Sequence, residues 1–388
     1  MLRAIRLFLF LAVFALVSRK TVAQKALRIK FQDWNEDDNR IEVRSWYAEA
    51  ETNLGEKWGL DVVGLVDHIT GATPIGRPPT NDPDEWLAYL EEERRAGIVT
   101  LSRKADDYDF SFEFGLSHEP DYLSRNYAAR LARSFASETL TLNAGFSYLD
   151  DVVDSNVPGG PGLGDQAKRT PELMVGVHRI LGPKATVSLN FTYGHPDGYL
   201  SDPYKQISLT EILFPGDPAR EREEIFLYPE NRPNERNTFA AYLESTRFFE
   251  SLNGSLETSY RFFADDADLT GHTVEVQWFQ RLGGKFVLRP IFRFHQQNSP
   301  DFYRTKLDGT GITPVAQPTG AGPHYSADYR LSDLRTLTYG IKLTYFPRQN
   351  LSIDLAFDRY NMRGRDGTTS QLMYPDANVL TLGLQWEY

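Results

Sequence analysis

The amino-acid sequence predicts an all-β fold, a single transmembrane antiparallel β-barrel of about sixteen strands with short periplasmic turns and long extracellular loops. Three observations predict it. Apolar and polar residues alternate with a period of two along most of the chain. Short connections alternate with long ones between these segments, as in membrane barrels. Residues 380–388 form a last alternating segment that ends in an aromatic residue.

The alternation defines the predicted strands. Residues 337–345 carry large apolar side chains at every second position and small or polar ones between them, which places the two kinds on opposite faces of a strand. An even strand number puts both chain ends in the periplasm, and fourteen or eighteen strands are also compatible with the pattern. The predicted strands are 26–34, 40–52, 58–69, 95–104, 108–118, 124–136, 139–150, 172–181, 185–195, 235–250, 255–265, 272–282, 286–297, 333–346, 351–362 and 378–388.

A water-soluble β-sandwich alternates in the same way, so two further features decide in favour of a membrane barrel with its apolar face toward lipid. The first is the alternation of short turns with long connections. The second is proline, which cannot donate to a sheet and should collect in connections. Only Pro290 falls inside a predicted strand, where we expect a bulge or irregular pairing. In the longest connection, residues 216–224 could form a short helix, and the alternative is an ordinary loop element. The long connections are predicted at 70–94, 151–171, 196–234, 298–332 and 363–377.

The composition excludes several classes of function. The chain of 388 residues has 42 Lys and Arg against 53 Asp and Glu, a net charge of −11, which argues against a nucleic-acid partner because such partners require a basic surface. It has no cysteine, and therefore no disulfide, thiolate metal site or cysteine nucleophile. Its negative mean hydropathy does not fit a bundle of membrane helices, each of which needs about 20 apolar residues.

The N-terminus predicts export. Residues 1–23 are predicted to be a cleaved signal peptide, followed by the barrel at residues 24–388. Two arginines precede the apolar run 7–17, and Ala23 ends a cleavage site of small residues. The alternative is a transmembrane anchor, but the run is much shorter than the about 20 residues that a spanning helix needs.

The C-terminal strand resembles the closing signature of outer-membrane barrels. Gly383 precedes aromatic residues at Trp386 and at the terminal Tyr388. The resemblance implies that this strand is the signal recognised by the barrel-assembly machinery. It also implies that the protein lies in the lipid of the cell outer membrane.

Four strings near predicted loops resemble one family. They are residues Asp67–Pro74, Ser117–Ser124, Asn231–Asn237 and Ser326–Ser332. With the C-terminal strand they resemble a bacterial family of exported proteins, catalogued as a domain of unknown function and expected to form outer-membrane barrels. The family more often has Ile-Ser-Gly where this chain has Ile-Thr-Gly. The resemblance implies genes nearby for a periplasmic flavin transferase, a thioredoxin-like protein and a small lipoprotein. It therefore implies periplasmic redox or flavin-transfer proteins as partners, and it implies no activity.

The strings contribute charged residues at strand ends and loop bases. If several loops fold inward, these charges could form a salt-bridged constriction at the extracellular mouth. The alternative is that they cap strand ends and hold loops in place. The residues are Asp67, Glu119, Asp121, Arg232, Arg236, Asp328 and Arg330.

The polar face of the strands should line the lumen. It carries both signs of charge, which could set an ion preference or pair across the lumen and fill it. A basic stripe on one strand and an acidic stripe nearby could screen solutes. The predicted lumen-lining residues are Glu113, His178, Glu257, Arg261, Glu275, Gln277, Arg289, Arg293, His295, Lys342, Asp354, Asp358 and Gln385. In this set, Arg289, Arg293 and His295 form the basic stripe, and Asp354 and Asp358 the acidic one.

Three functions compete. The sequence favours a channel or porin-like pore for small solutes, because a barrel of about sixteen strands is wide enough for an aqueous lumen. The alternative is a non-conducting scaffold or export partner in an envelope complex. An outer-membrane enzyme is the third, and it is disfavoured because the 7 histidines fall in no recognisable catalytic pattern. No cofactor and no metal are expected.

Overall fold

Sixteen antiparallel strands form one sheet that closes on itself, as the sequence predicts. The computed structural model describes residues 26–388, and the predicted signal peptide lies outside the described residues. Closure follows from β1, which pairs with β2 on one side and with β16 on the other. The strands are β1 (Ala26–Glu36), β2 (Glu42–Asn53), β3 (Trp58–Pro74), β4 (Leu87–Ala105), β5 (Tyr108–His118), β6 (Tyr122–Phe135), β7 (Leu140–Asp154), β8 (Asp165–Gly182), β9 (Ala185–Gly194), β10 (Thr238–Phe249), β11 (Gly254–Asp265), β12 (Thr270–Leu282), β13 (Phe286–Gln297), β14 (Leu334–Arg348), β15 (Leu351–Gly364) and β16 (Asp376–Glu387).

The two faces of the wall differ in polarity. On β5, Phe112 and Phe114 are 60% and 45% exposed on the outer face. Glu113 lies between them and points to the interior, since successive side chains alternate. The apolar series continues around the barrel through the ladders, for example from Phe112 to Leu101 on β4. The outer face is therefore the one suited to lipid.

Several strands extend beyond their predicted ends, among them β3, β4 and β8. β3 runs to Pro74 and β4 begins at Leu87, and the ladder between them continues up to the pair formed by these two residues. β8 likewise begins at Asp165. The extensions of β4 and β8 are rich in charged residues, so they show no apolar alternation, but backbone pairing does not require it. The side-chain pattern alone therefore underestimates the lengths of these strands.

Pro290 interrupts one ladder without shifting it. Pairing of β12 with β13 passes from Gln277–Ile291 to Gln280–Leu288 in one register, so the ladder has a gap and no bulge. On its other side Pro290 pairs with Ile341. Pro171 and Pro347 also lie inside strands, contrary to the expectation that Pro290 would be the only one.

The connections divide the barrel into a short-turn end, which also holds both termini of the described chain, and a long-loop end. This alternation was predicted. The loops at the long-loop end are loop 1 (37–41), loop 2 (75–86), loop 3 (119–121), loop 4 (155–164), loop 5 (195–237), loop 6 (266–269), loop 7 (298–333) and loop 8 (365–375). Short elements outside the barrel strands are the two-residue strand Asp197–Gly198 and the 3-10 helices Pro83–Glu85, Glu250–Leu252, Tyr329–Leu331 and Gln371–Met373.

Loop 5 contains a hairpin of its own, formed by Gln206–Leu213 and Arg222–Pro229. Of the two alternatives for residues 216–224, the short helix is therefore wrong, because the segment forms a turn and the start of the second strand. The Asp217 carbonyl accepts hydrogen bonds from the amides of Arg220 and Glu221, which closes a turn, and the second strand follows at once. The charged residues after the turn alternate on this strand instead of forming a helical face.

Gly383 and Trp386 of the predicted assembly signal lie on the last strand, β16, and Tyr388 directly follows it. The rings of Trp386 and Tyr388 have centroids 4.7 Å apart, and both side chains are exposed on the outer face. Gly383 faces the interior opposite Asp354. Recognition of this strand by the assembly machinery stays a prediction. Residues 26–388 contain no helix long and apolar enough to cross a membrane.

Candidate functional site

Every residue predicted to line the lumen lies on the interior face of the wall. The ladders place them side by side, with Glu275 opposite Arg293 and Arg289 opposite Lys342. The predicted basic stripe lies on β13 and the acidic stripe on β15, separated by β14. The interior residues are Glu113, His178, Glu257, Arg261, Glu275, Gln277, Arg289, Arg293, His295, Lys342, Asp354, Asp358 and Gln385.

Ion pairs between neighbouring strands neutralise part of the interior charge. Lys342 Nζ lies 2.8 Å from Asp354 Oδ2, so β14 provides the cation that holds the acidic stripe. Arg28 Nη1 lies 2.6 Å from Glu49 Oε1 on the next strand. The closest atoms of Arg293 and Glu275 are 4.0 Å apart. Part of the charge of the wall is therefore paired locally between adjacent strands.

The interior histidines contact hydroxyl groups on adjacent strands. His178 Nδ1 lies 2.8 Å from Ser188 Oγ, and His295 Nδ1 lies 2.9 Å from Thr273 Oγ1. The Glu113 carboxylate accepts a hydrogen bond of 2.8 Å from the amide of a neighbouring asparagine, Asn126. These contacts fix the side chains along the wall.

Loops 5 and 7 pack on each other at the long-loop end, and we call these two loops together the cap. Ile207, Leu307 and Tyr325 form its core and are at most 1% exposed. Asn231 and Tyr325 exchange two backbone hydrogen bonds of 2.9 Å. The Leu307 amide donates to the Ser208 carbonyl at 2.9 Å. The cap is therefore a folded unit with an apolar centre.

Buried charges join the two loops of the cap. Arg232 Nε lies 2.7 Å from Glu230 Oε1, and Arg232 Nη2 lies 2.8 Å from Asp328 Oδ2. Arg330 donates to Asp328 from Nε at 2.8 Å and to Asp202 from Nη2 at 2.5 Å. The carboxylates of Glu230 and Asp328 are 1% and 2% exposed, so each depends on its partners for compensation of its charge.

Burial and neighbouring charges shift the pKa values of these groups in opposite directions. Burial raises the pKa of Glu230 from 4.5 to about 7, against the attraction of Arg232. Burial alone would raise the pKa of Asp328 too, but the charges of Arg330, Lys205 and Arg232 outweigh it and hold that pKa well below its usual range. Glu230 is therefore the cap carboxyl that can take up a proton near neutral pH.

The cap is anchored to the wall far from β9 and β10, the two strands that loop 5 connects. Loop 5 leaves the wall between β9 and β10, yet Lys205 Nζ donates to the Pro74 carbonyl at 2.5 Å. The Gln206 amide donates to the Ile75 carbonyl at 2.6 Å. The Tyr204 hydroxyl donates to Asp121 at 2.7 Å. Because these anchors lie at the ends of β3 to β5, loop 5 crosses the mouth of the barrel.

Loop 7 is held to loops 2 and 8 by aromatic packing. Tyr329 packs in one cluster with Trp86 of loop 2 and Tyr374 of loop 8, and the centroids of the two tyrosine rings are 5.8 Å apart. The Tyr303 hydroxyl lies 2.6 Å from the Thr369 hydroxyl of loop 8. Loops 2, 5, 7 and 8 therefore meet over the long-loop end.

A second charged group lies where the cap meets the wall. Carboxylate oxygens of Glu92, Glu119 and Asp121 lie within 4.8 Å of one another, and burial raises the pKa of Glu119. Oxygen clusters of this kind are the ligands that hard cations prefer. However, the Tyr204 hydroxyl contacts Glu92 and Asp121, which accounts for their approach without an ion. Nearby, Arg94 Nε donates to the buried Asp67 at 2.7 Å.

The structure therefore divides the charges predicted at loop bases. Arg232, Asp328 and Arg330 meet in the cap. Asp67, Glu119 and Asp121 lie at its anchor. Arg236 pairs with Asp265 at the end of β11 and lies over the Phe302 ring of loop 7.

Sequence reasoning missed several residues of the cap. Glu230 and Tyr325 directly precede two of the motif strings, so extending each string by one residue would have found them. Tyr204 and Lys205 lie in a stretch without alternation or motif, and only the fold brings them to Asp121 and Pro74.

The sequence was compared with protein families. The profile of the family described as "Protein of unknown function (DUF3570)" matches residues 9–86, 80–161 and 161–383. The chain belongs to the DUF3570 family. This confirms the resemblance predicted from the motif strings. A search of the curated proteins finds no match to this DUF3570 protein.

Solved structures with a similar fold were also found. CdiB from Acinetobacter baumannii has a TM-score of 0.53 at 10% identity, with 94% of the DUF3570 chain and 60% of CdiB covered. The siderophore receptor PirA from Pseudomonas aeruginosa has a TM-score of 0.43 at 14% identity, with 95% and 63% covered. OccK5 from Pseudomonas aeruginosa has a TM-score of 0.45 at 8% identity, with 94% and 98% covered. The DUF3570 chain thus spans less than two thirds of CdiB and of PirA. At these identities the likeness concerns the barrel fold alone.

Proposed function

We propose that this DUF3570 protein is a gated channel of the cell outer membrane, a pore for small polar solutes whose extracellular mouth is closed by the cap. The observation that carries the proposal is a charged interior beneath loops that are anchored across the mouth by buried ion pairs. A barrel of sixteen strands is wide enough to enclose an aqueous lumen. Because the buried charges of the cap depend on one another, the closure can be broken as a unit.

The same closure favours one alternative, a non-conducting scaffold. A cap that never opens would leave the barrel as a fixed support for partners rather than a route for solutes. In that case the family resemblance points to periplasmic redox or flavin-transfer proteins, bound at the short-turn end. Conductance separates the two functions.

We expect the intact barrel to conduct weakly in planar lipid bilayers and a variant without the cap to conduct strongly. In the variant, residues 300–325 are replaced by a short Gly-Ser linker, which removes Leu307 and Tyr325 from the cap core and should uncover the mouth. The control shortens the hairpin tip, residues 216–221, which is exposed and away from the cap core. Silence from all three proteins would exclude the channel and leave the scaffold. Equal and large conductance from all three would mean an open pore that the cap does not close.

We also expect acidification to strengthen the closure. The pKa of Glu230 is about 7 in the cap against 4.5 for the free side chain, so the capped state binds this proton more tightly than a state with released loops. Lowering the pH from 8 to 5 therefore stabilises the cap, and the effect develops below pH about 7. Conductance of the native barrel should fall over this range.

Glu230→Gln provides the control for the pH effect, because the amide resembles the protonated carboxyl and does not titrate. The difference in conductance between the native barrel and this variant should be largest at pH 8 and small at pH 5. A native conductance that rises on acidification, or a variant that titrates like the native barrel, would contradict the role of Glu230. Asp328 and Asp202 do not interfere, because their pKa values are lowered from 3.8.

A further inference from the structure

The interior wall contains a cavity of about 520 Å³ that lies away from the cap. Its lining comes from β1 to β3 and from β13 to β16, near the short-turn end. Cavities of about 300–1,000 Å³ are the size that small ligands occupy in proteins. Its charged lining residues are Arg28, Lys30, Glu49, Arg289, Lys342, Asp354 and Asp358.

Most of these charges are already compensated. Arg28 pairs with Glu49, and Lys342 pairs with Asp354 at 2.8 Å. Asp358 lies against the backbone of Gly340, where a Cβ atom would be 1.9 Å from its Oδ1. Asp358 is therefore directed toward β14 and leaves the adjacent part of the cavity to the cations.

Two cations of the cavity form no ion pair within 4.0 Å among residues 26–388, although Asp358 and Glu257 attract Arg289 at longer range. Lys30 Nζ lies 3.8 Å from the centroid of the Tyr47 ring. The Arg289 guanidinium carbon lies 5.5 Å from the centroid of the Phe279 ring, and Arg289 Nε is buried without a hydrogen bond. Each cation is thus held over an aromatic face, and neither donates a hydrogen bond to a carboxylate among the described residues.

Small residues form the wall between these two cations. Ala356 and Gly383 face the interior on β15 and β16, in the two strands that follow β14 around the barrel. A Cβ atom on Gly383 would lie 3.2 Å from the Asp354 side chain, so a larger residue would fill the recess. The recess is bordered by Lys30 on one side, and by Lys342 and Arg289 on the other.

We infer that this recess binds a small solute carrying oxyanion groups, held between Lys30 and Arg289. Guanidinium groups bind carboxylate and phosphate oxygens through paired hydrogen bonds, and ammonium groups add a point charge. With the paired charges set aside, the lining offers two cations against the single carboxylate of Asp358, which favours an anion over a cation. The inference deepens the channel proposal by naming the class of solute, but the site itself does not require that the barrel conducts.

Calorimetry on the purified full barrel in detergent tests the site without any conductance. The probes are succinate, inorganic phosphate, the neutral solute erythritol and the dication putrescine. We expect succinate, phosphate or both to bind and the other two not to bind. Succinate alone would identify a carboxylate solute, and phosphate alone a phosphorylated one or phosphate itself.

Lys30→Gln and Arg289→Gln should each weaken binding of the anion about tenfold, the effect of one lost charge-assisted contact. Lys30→Arg should restore most of the affinity because it keeps the charge. The matched control is Arg130→Gln, since Arg130 also faces the interior but lies on β6, outside the cavity. Folding of each variant is checked by the shift in electrophoretic mobility on heating.

Absence of anion binding to the native barrel would overturn the site, as would equal binding of putrescine or erythritol. An equal loss of affinity in Arg130→Gln would also overturn it, because the effect would then come from the general charge of the lumen. A barrel that conducts without binding the anions would remove this inference and leave the channel. A barrel that binds the anions without conducting would support this binding site and exclude the channel.

Discussion

Asp328→Asn is expected to release the cap while the barrel stays folded. Asp328 is 2% exposed and holds Arg232 and Arg330 together, so its neutralisation leaves two arginines without their shared carboxylate. Breaking a buried ion pair by removing one partner costs about 3–5 kcal/mol. Trypsin should then cut loops 5 and 7 at sites that the native cap protects, and conductance should rise.

The control for this variant is Asp217→Asn. Asp217 also pairs with an arginine, Arg220, at 2.8 Å, but this pair is exposed at the hairpin tip, where ion pairs contribute little. The control should be as resistant to trypsin as the native protein. If Asp328→Asn were equally resistant, the cap would not depend on its charge network. Heat-modifiable mobility on gels reports whether the barrel itself is intact.

Gly76→Ala is expected to detach loop 5 from loop 2. Gly76 has φ +119°, and a Cβ atom there would lie 1.8 Å from the Gln206 carbonyl oxygen. The backbone strain alone costs about 1–3 kcal/mol. The hydrogen bond from the Gln206 amide to the Ile75 carbonyl would also be lost as loop 5 moves away from loop 2. Hydrogen–deuterium exchange of peptides from loop 5 should become faster, beginning at Gln206.

Gly162→Ala in loop 4 serves as the control. Gly162 also has a positive φ, +68°, but a Cβ atom there would meet nothing within 4 Å. It should leave the exchange of loop 5 unchanged. Unchanged exchange in Gly76→Ala as well would mean that loop 2 does not hold the cap.

The barrel could be predicted from sequence because its wall obeys a simple period. Each strand that crosses an apolar layer must place apolar side chains on one face only, so residues such as Phe112 and Phe114 mark a strand without any knowledge of its neighbours. The extension of β4 above that layer, from Leu87, could not be predicted in this way. There residues 87–90 are apolar and residues 91–94 are charged, so the two faces do not differ in polarity, and only the pairing with β3 defines the strand.

The cap could be predicted only in part. Arg232 and Asp328 were found because they belong to charged strings at loop bases, but their partner Glu230 and the anchor Lys205 were not. Packing of loops 5 and 7 joins residues about a hundred positions apart, such as Ile207 and Leu307. Such contacts produce no repeating pattern of apolar residues in the sequence, because loops can bring any two positions together.

The pairing of β1 with β16 has a consequence for the order of folding. Ala26 lies opposite Glu387, so the seam joins the first described residues to the last ones. Closing so long a loop carries a large entropic penalty before any contact compensates for it. A nascent chain therefore has to keep the edge of β1 unpaired until β16 has been synthesised. During that time the edge can pair with any other exposed strand, so this topology exposes the unfinished sheet to wrong pairing.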